Sequence, residues 1–125
     1  MSKITIKTDD AELTAELYDT PTAQAVLDLL PLKARGARWG DEIYFPIPAE
    51  IELQADARDV LESGELAYWP VGHAFCIFWG PTPASQGDEP RAASPVNVFG
   101  KLLGEPFVLQ NFESGHTLHI EKLDD

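Results

Sequence analysis

Ala74-Phe75-Cys76-Ile77-Phe78-Trp79 is apolar at every position. Side chains of a strand alternate between its two faces, so this run has an apolar surface on both sides and belongs in the middle of a sheet. Pro70-Val71-Gly72 supplies the turn before it, and Leu66-Ala67-Tyr68-Trp69 after Gly64 supplies the strand before that turn. Further upstream, Trp39-Gly40-Asp41 is a turn leading into Glu42-Ile43-Tyr44-Phe45, which Pro46 and Pro48 stop. Downstream, Pro81 to Ala93 is a polar loop with three prolines, long enough to imply a function or mobility. Pro95 to Leu102 then resumes strand character.

The ends of the chain follow the same pattern. Ile4 and Ile6 alternate with Lys3, Thr5 and Lys7, and Leu13, Ala15 and Leu17 mark a second half-buried strand over Glu12 to Tyr18. Asp9-Asp10 makes the hairpin turn between them. One helix is clear: Thr20 caps it, Pro21 fits its first turn, Ala23, Val26, Leu27, Leu29 and Leu30 give it an apolar stripe, and Pro31 ends it. Leu32 to Ala37 reads as strand, Ala57 to Glu62 as strand or one helical turn, Glu105 to Phe112 as a second short helix, and His116 to Leu123 as the final strand. Eight or so strands without βαβ alternation predict a mainly β domain: a closed eight-stranded antiparallel barrel capped by one or two short helices, with a two-sheet sandwich as the alternative.

The 125 residues suffice for a single domain spanning the chain, without a linker or repeat. One cysteine rules out an internal disulfide and a multi-cysteine metal site. Twenty-one acidic against nine basic residues give a net charge of −12, which disfavours nucleic acid and anionic membrane as partners. No apolar run approaches a membrane span and Met1-Ser2-Lys3-Ile4-Thr5 is no secretory signal, so the expected location is the cytoplasm. Asp124-Asp125 is a charged end.

Few residues suggest chemistry. His116 and His119 point to opposite faces of a strand, and His73 sits in the turn before the apolar strand with no Cys or His partner, so no metal or cofactor is implied. Cys76 lies among apolar neighbours, where a thiol resists ionisation and packs as core. Asp41 and Glu42 fall on opposite faces and form no acid/base pair. Gly36, Gly40, Gly72, Gly80, Gly100 and Gly104 are scattered as turn glycines. The aromatic residues crowded between Trp39 and Trp79 are more informative. Alternation turns some of them away from a barrel core, and a few, beside Arg38, are expected to line a cleft.

Phe75-Cys76-Ile77, followed after a loop by Val96-Asn97-Val98-Phe99-Gly100-Lys101-Leu102, resembles the paired core strands of cyclophilins. Trp39-Gly40-Asp41-Glu42-Ile43-Tyr44-Phe45, Tyr68-Trp69-Pro70-Val71-Gly72 and Gly80-Pro81-Thr82-Pro83-Ala84-Ser85 carry a closer likeness to the small bacterial and archaeal cyclophilin-like family of unknown function. The resemblance implies the capped eight-stranded barrel. In true cyclophilins an Arg aimed at the prolyl nitrogen weakens amide conjugation above an apolar pocket, lowering a barrier of about 20 kcal/mol. Here Val96 stands in the slot of their His, and their Phe-His-Arg and Gln-Gly-Gly-Asp motifs have no counterpart.

The expected function is therefore binding of a small molecule or a proline-containing peptide without efficient catalysis. Arg38, Tyr44, Phe45, Phe75, Phe78 and Trp79 are the groove candidates. The second reading is a weak peptidyl-prolyl isomerase using Arg38 with a pocket walled by Phe75, or by Cys76 if the alignment shifts by one residue. The third is an interaction module that buries its unpaired aromatics in a homodimer.

Overall fold

A computed structural model describes residues 2–123; Met1 and the acidic end at Asp124 and Asp125 lie outside the described residues. Ten strands run β1 Lys3–Lys7, β2 Glu12–Leu17, β3 Leu32–Arg35, β4 Ala37–Arg38, β5 Glu42–Pro46, β6 Arg58–Val60, β7 Glu65–Trp69, β8 Ala74–Phe78, β9 Arg91–Leu103 and β10 Thr117–Lys122. Helix α1, Pro21–Leu27, begins where Thr20 accepts the Ala23 N–H, and Pro21 sits in its first turn. Pro70–Gly72 and Pro106–Asn111 are 3-10 turns, so the expected second helix winds more tightly than an α-helix. Among the described residues, no helix is long and apolar enough to cross a membrane.

All pairings are antiparallel, in the order β3-β10-β1-β2-β9-β7-β8-β5-β4, with β6 on the side of β9. The expected closed eight-stranded barrel is corrected in two ways. Among the described residues there are ten strands, and the hydrogen-bond ladder does not close, because no pairing joins the end strands β3 and β4. These ends are consecutive in the chain, separated only by Gly36, so the sheet curls until its two edges meet there. The backbone turns at Gly36 instead of pairing across the seam: its N–H donates to His116 O at 3.0 Å, and Gly115 N–H donates to Gly36 O at 2.9 Å.

Period-two alternation divides the strands between two cores. Ile43 and Phe45 on β5, Leu66 and Tyr68 on β7 and Phe75 and Ile77 on β8 face the interior, joined there by Phe99, Leu118 and Ile120. Full burial of such side chains stabilises by about 1.5–3 kcal/mol each. Cys76 and Phe78 on β8, Ala67 on β7 and Val96 on β9 face outward into a second, smaller cluster with Leu61 and Ala92. β8 therefore is buried at every residue, between β5 and β7.

The outer cluster exists because β9 is longer than its sequence suggests. Arg91–Ala93 is strand, not loop, since it pairs with β6 across the register Val60↔Arg91. The other half of β9 pairs with β7 and β2. The remaining loop, 81–90, is tied to itself. Glu89 accepts from the N–H groups of Gln86 and Gly87 and from Arg91, and these bonds push its carboxyl down to about 2.

Candidate functional site

A cavity of about 250 Å³ opens between the outward face of β5, β7 and β8 and the first half of β9. Its walls are Trp39, Tyr44, Trp69 and Phe78, with Glu42, Cys76, Ala92, Ala93 and Val96 completing the lining. The register explains the grouping. Glu42 stands opposite Phe78 and Tyr44 opposite Cys76, and all four take the outward phase, while Ile43 and Phe45 take the inward one. Trp39 enters from the turn before β5, where its N–H donates to Glu42 O at 3.0 Å. Trp69 is fixed by its indole N–H, which donates to Ser94 Oγ on β9 at 2.7 Å.

Glu42 is the unusual member. It is 5 % exposed. Burial pushes its carboxyl up to about 7, and the neighbouring Cys76 side chain offsets only part of that. Burial likewise pushes the Cys76 thiol well up, and the facing carboxyl adds to the shift, so this thiol is a poor nucleophile.

The fold's other buried glutamate is handled differently. Glu65, 1 % exposed, is paired by Arg58 through two bonds of 2.9 Å and accepts from Glu62 N–H and Tyr18 Oη. Burial works against its charge, yet these bonds outweigh burial and leave its pKa lowered. Tyr18 is pushed up to about 12, by burial first and by Glu65 second. That network is a closed structural unit. Glu42 has no comparable set of donors among the described residues.

The structure separates the residues that the sequence grouped. Tyr44 and Phe78 line the cavity. Phe45 and Phe75 are wholly buried in the interior core, stacked on each other with centroids 5.0 Å apart. Trp79 belongs to that core as well, its indole N–H donating to Gln110 Oε1 at 2.8 Å. Arg38 lies over the Trp79 ring at 5.0 Å, outside the cavity lining. Its guanidinium donates to Gly40 O, Gln110 O, Phe112 O and Asp41 Oδ1. Arg38 is thus engaged at the seam by four acceptors, while Phe75 is wholly buried in the interior core and lies outside the cavity lining.

The groove candidates read from the sequence left out Trp39, Glu42, Trp69 and the β9 wall, and Cys76 entered only as the alternative to Phe75. A usable signal was present: Glu42 shares the phase of Tyr44 and pairs with a strand that has no polar partner to offer it. The loop 81–90 contributes nothing to the lining; Ala92 and Ala93 just beyond it do.

The solved structures include a relative over nearly the full length. The hypothetical protein AF2241 from Archaeoglobus fulgidus, determined in solution, is 36% identical with a TM-score of 0.82, over 98% of this chain and 95% of that one. No curated protein is found to match. The profile of the family described as cyclophilin-like matches residues 2–121. With the motifs, the curled antiparallel sheet and this match in agreement, the chain belongs to the cyclophilin-like family.

Proposed function

We propose that this protein is a binding domain for a small, largely apolar molecule held in the cavity between Trp39, Tyr44, Trp69 and Phe78, without efficient catalysis. The observation that carries this reading is the cavity itself: aromatic walls from three separate segments enclosing one buried carboxyl. Ligand sites have this composition, mostly apolar lining with few polar groups that fix orientation. A volume of about 250 Å³ suits a fragment-sized molecule, or one inserted group of something larger. The absence of the isomerase motifs and the occupied donors of Arg38 argue against prolyl isomerisation.

The test is a fragment library followed by amide and indole NMR signals. Binders are expected to shift Trp39, Trp69 and the amides of β5, β8 and β9. Ala93→Trp, at an exposed position on the cavity wall, should abolish those shifts while preserving the spectrum of the inner core. Shifts that ignore Ala93→Trp would place binding elsewhere and overturn the assignment. An X-Pro peptide panel run alongside is expected to show no catalysed exchange.

A further inference from the structure

We infer that the ligand of this cavity is a small organic ammonium ion, whose N–H group is bound by the Glu42 carboxylate and whose apolar body packs on Trp39, Tyr44, Trp69 and Phe78. The inference rests on the binding reading above and narrows it to one chemical class. Its first support is the contrast between two buried acids. The fold surrounds Glu65 with an arginine, a tyrosine hydroxyl and a backbone N–H, but leaves Glu42 facing a cavity with a thiol as its polar neighbour. A buried carboxylate is costly without a charged or hydrogen-bonding partner, so a partner entering the cavity removes that cost.

The second support is the wall chemistry. Aromatic rings attract cations electrostatically, more strongly where water is excluded. The net charge of −12 raises the local concentration of cations and lowers that of anions. A neutral hydrocarbon would leave the carboxyl unsatisfied, and a carboxylate ligand would face like charge. The competing class is a neutral hydrogen-bond acceptor taking the proton of un-ionised Glu42, and pH separates the two. Around Glu42 the titratable groups are Tyr44 on its own strand and Cys76 on β8; β7 and β9 present Trp69, Ala92, Ala93 and Val96, none of which titrates. Arg91 on β9 is engaged by Asp59 and Glu89.

The experiment compares benzylamine, benzyl alcohol and benzoate, which share a ring and differ in charge, by NMR titration of the full chain. At about pH 8 benzylamine is expected to bind at least about tenfold more tightly than benzyl alcohol, a difference of roughly 1.4 kcal/mol, with benzoate weakest. Benzylamine affinity should rise between about pH 6 and 8, as the carboxyl with a pKa of about 7 loses its proton. Glu42→Gln should bring benzylamine down to the level of benzyl alcohol and leave benzyl alcohol unchanged. Equal affinities, or a Glu42→Gln variant that still prefers the amine, would overturn the ammonium class while the cavity reading stands. If no probe shifts Trp39 or Trp69 at millimolar concentration, both readings fall together.

Discussion

At Glu42 the cost of burying an acid becomes a dependence on pH. Its carboxyl is raised from an ordinary 4.5 to about 7, so the folded chain holds a proton that the unfolded chain has already released. The sign follows: stability from this group is intact at low pH, declines as pH rises from about 4.5, and reaches its full loss above about 7. At about 1.4 kcal/mol per pKa unit the loss is roughly 3 kcal/mol. Glu42→Gln cannot ionise, so its unfolding free energy relative to the native chain should gain about 2–3 kcal/mol between about pH 4 and pH 8. Urea unfolding at both pH values checks this. Parallel pH profiles for the two proteins would mean that the carboxyl ionises freely. Glu65 works in the opposite sense, its lowered pKa favouring the fold above the ordinary carboxylate range, and Glu42→Gln leaves that contribution untouched.

At the scale of elements, Gly36 shows what local pattern conveys and what it omits. In the sequence it is one turn glycine among several; in the structure it is the point where β3 passes into β4. A Cβ there would stand 2.6 Å from Leu118, 2.8 Å from Ile43 and 3.0 Å from Phe112. Gly36→Ala is expected to cost about 1–3 kcal/mol by overpacking, read as a lower urea midpoint with unchanged slope. The alternations Ile4/Ile6, Leu13/Ala15/Leu17 and Phe75/Ile77 were legible because each strand has a sided environment. β6, Arg58-Asp59-Val60, carries no such pattern, and it is a strand only because β9 arrives beside it from more than thirty residues away. The site suffered from the same limit. Alternation shows that Phe75 and Phe78 face opposite layers, but the phase is fixed by the packing of β9 and β6 outside and Phe99 inside, which no local window contains.

Over the whole molecule, the open ladder makes the seam between β3 and β4 the weakest line of the sheet. What holds it is the segment 110–116, through the bonds at Gly36, the donation of Arg38 N–H to Ser114 Oγ at 2.8 Å, and the Arg38 guanidinium on Gln110 O and Phe112 O. Two strands in from the β4 edge, β8 is flanked by strands on both edges and buried on both faces. Local opening draws on regions with few buried contacts, so hydrogen exchange should be uneven. Amides of β8, Phe75 to Phe78, are expected to exchange only with global unfolding, whereas Gly36, Arg38 and Gly115 exchange through a smaller opening. Arg38→Ala deletes four side-chain bonds, two of them to carbonyls of the closing segment, and should lower global stability by about 2–3 kcal/mol. It should accelerate the seam amides more than that global loss alone explains, and leave benzylamine binding in the cavity unchanged. Uniform acceleration across β8 and the seam would mean that the sheet opens as a single unit, with its edges joined as firmly as its centre.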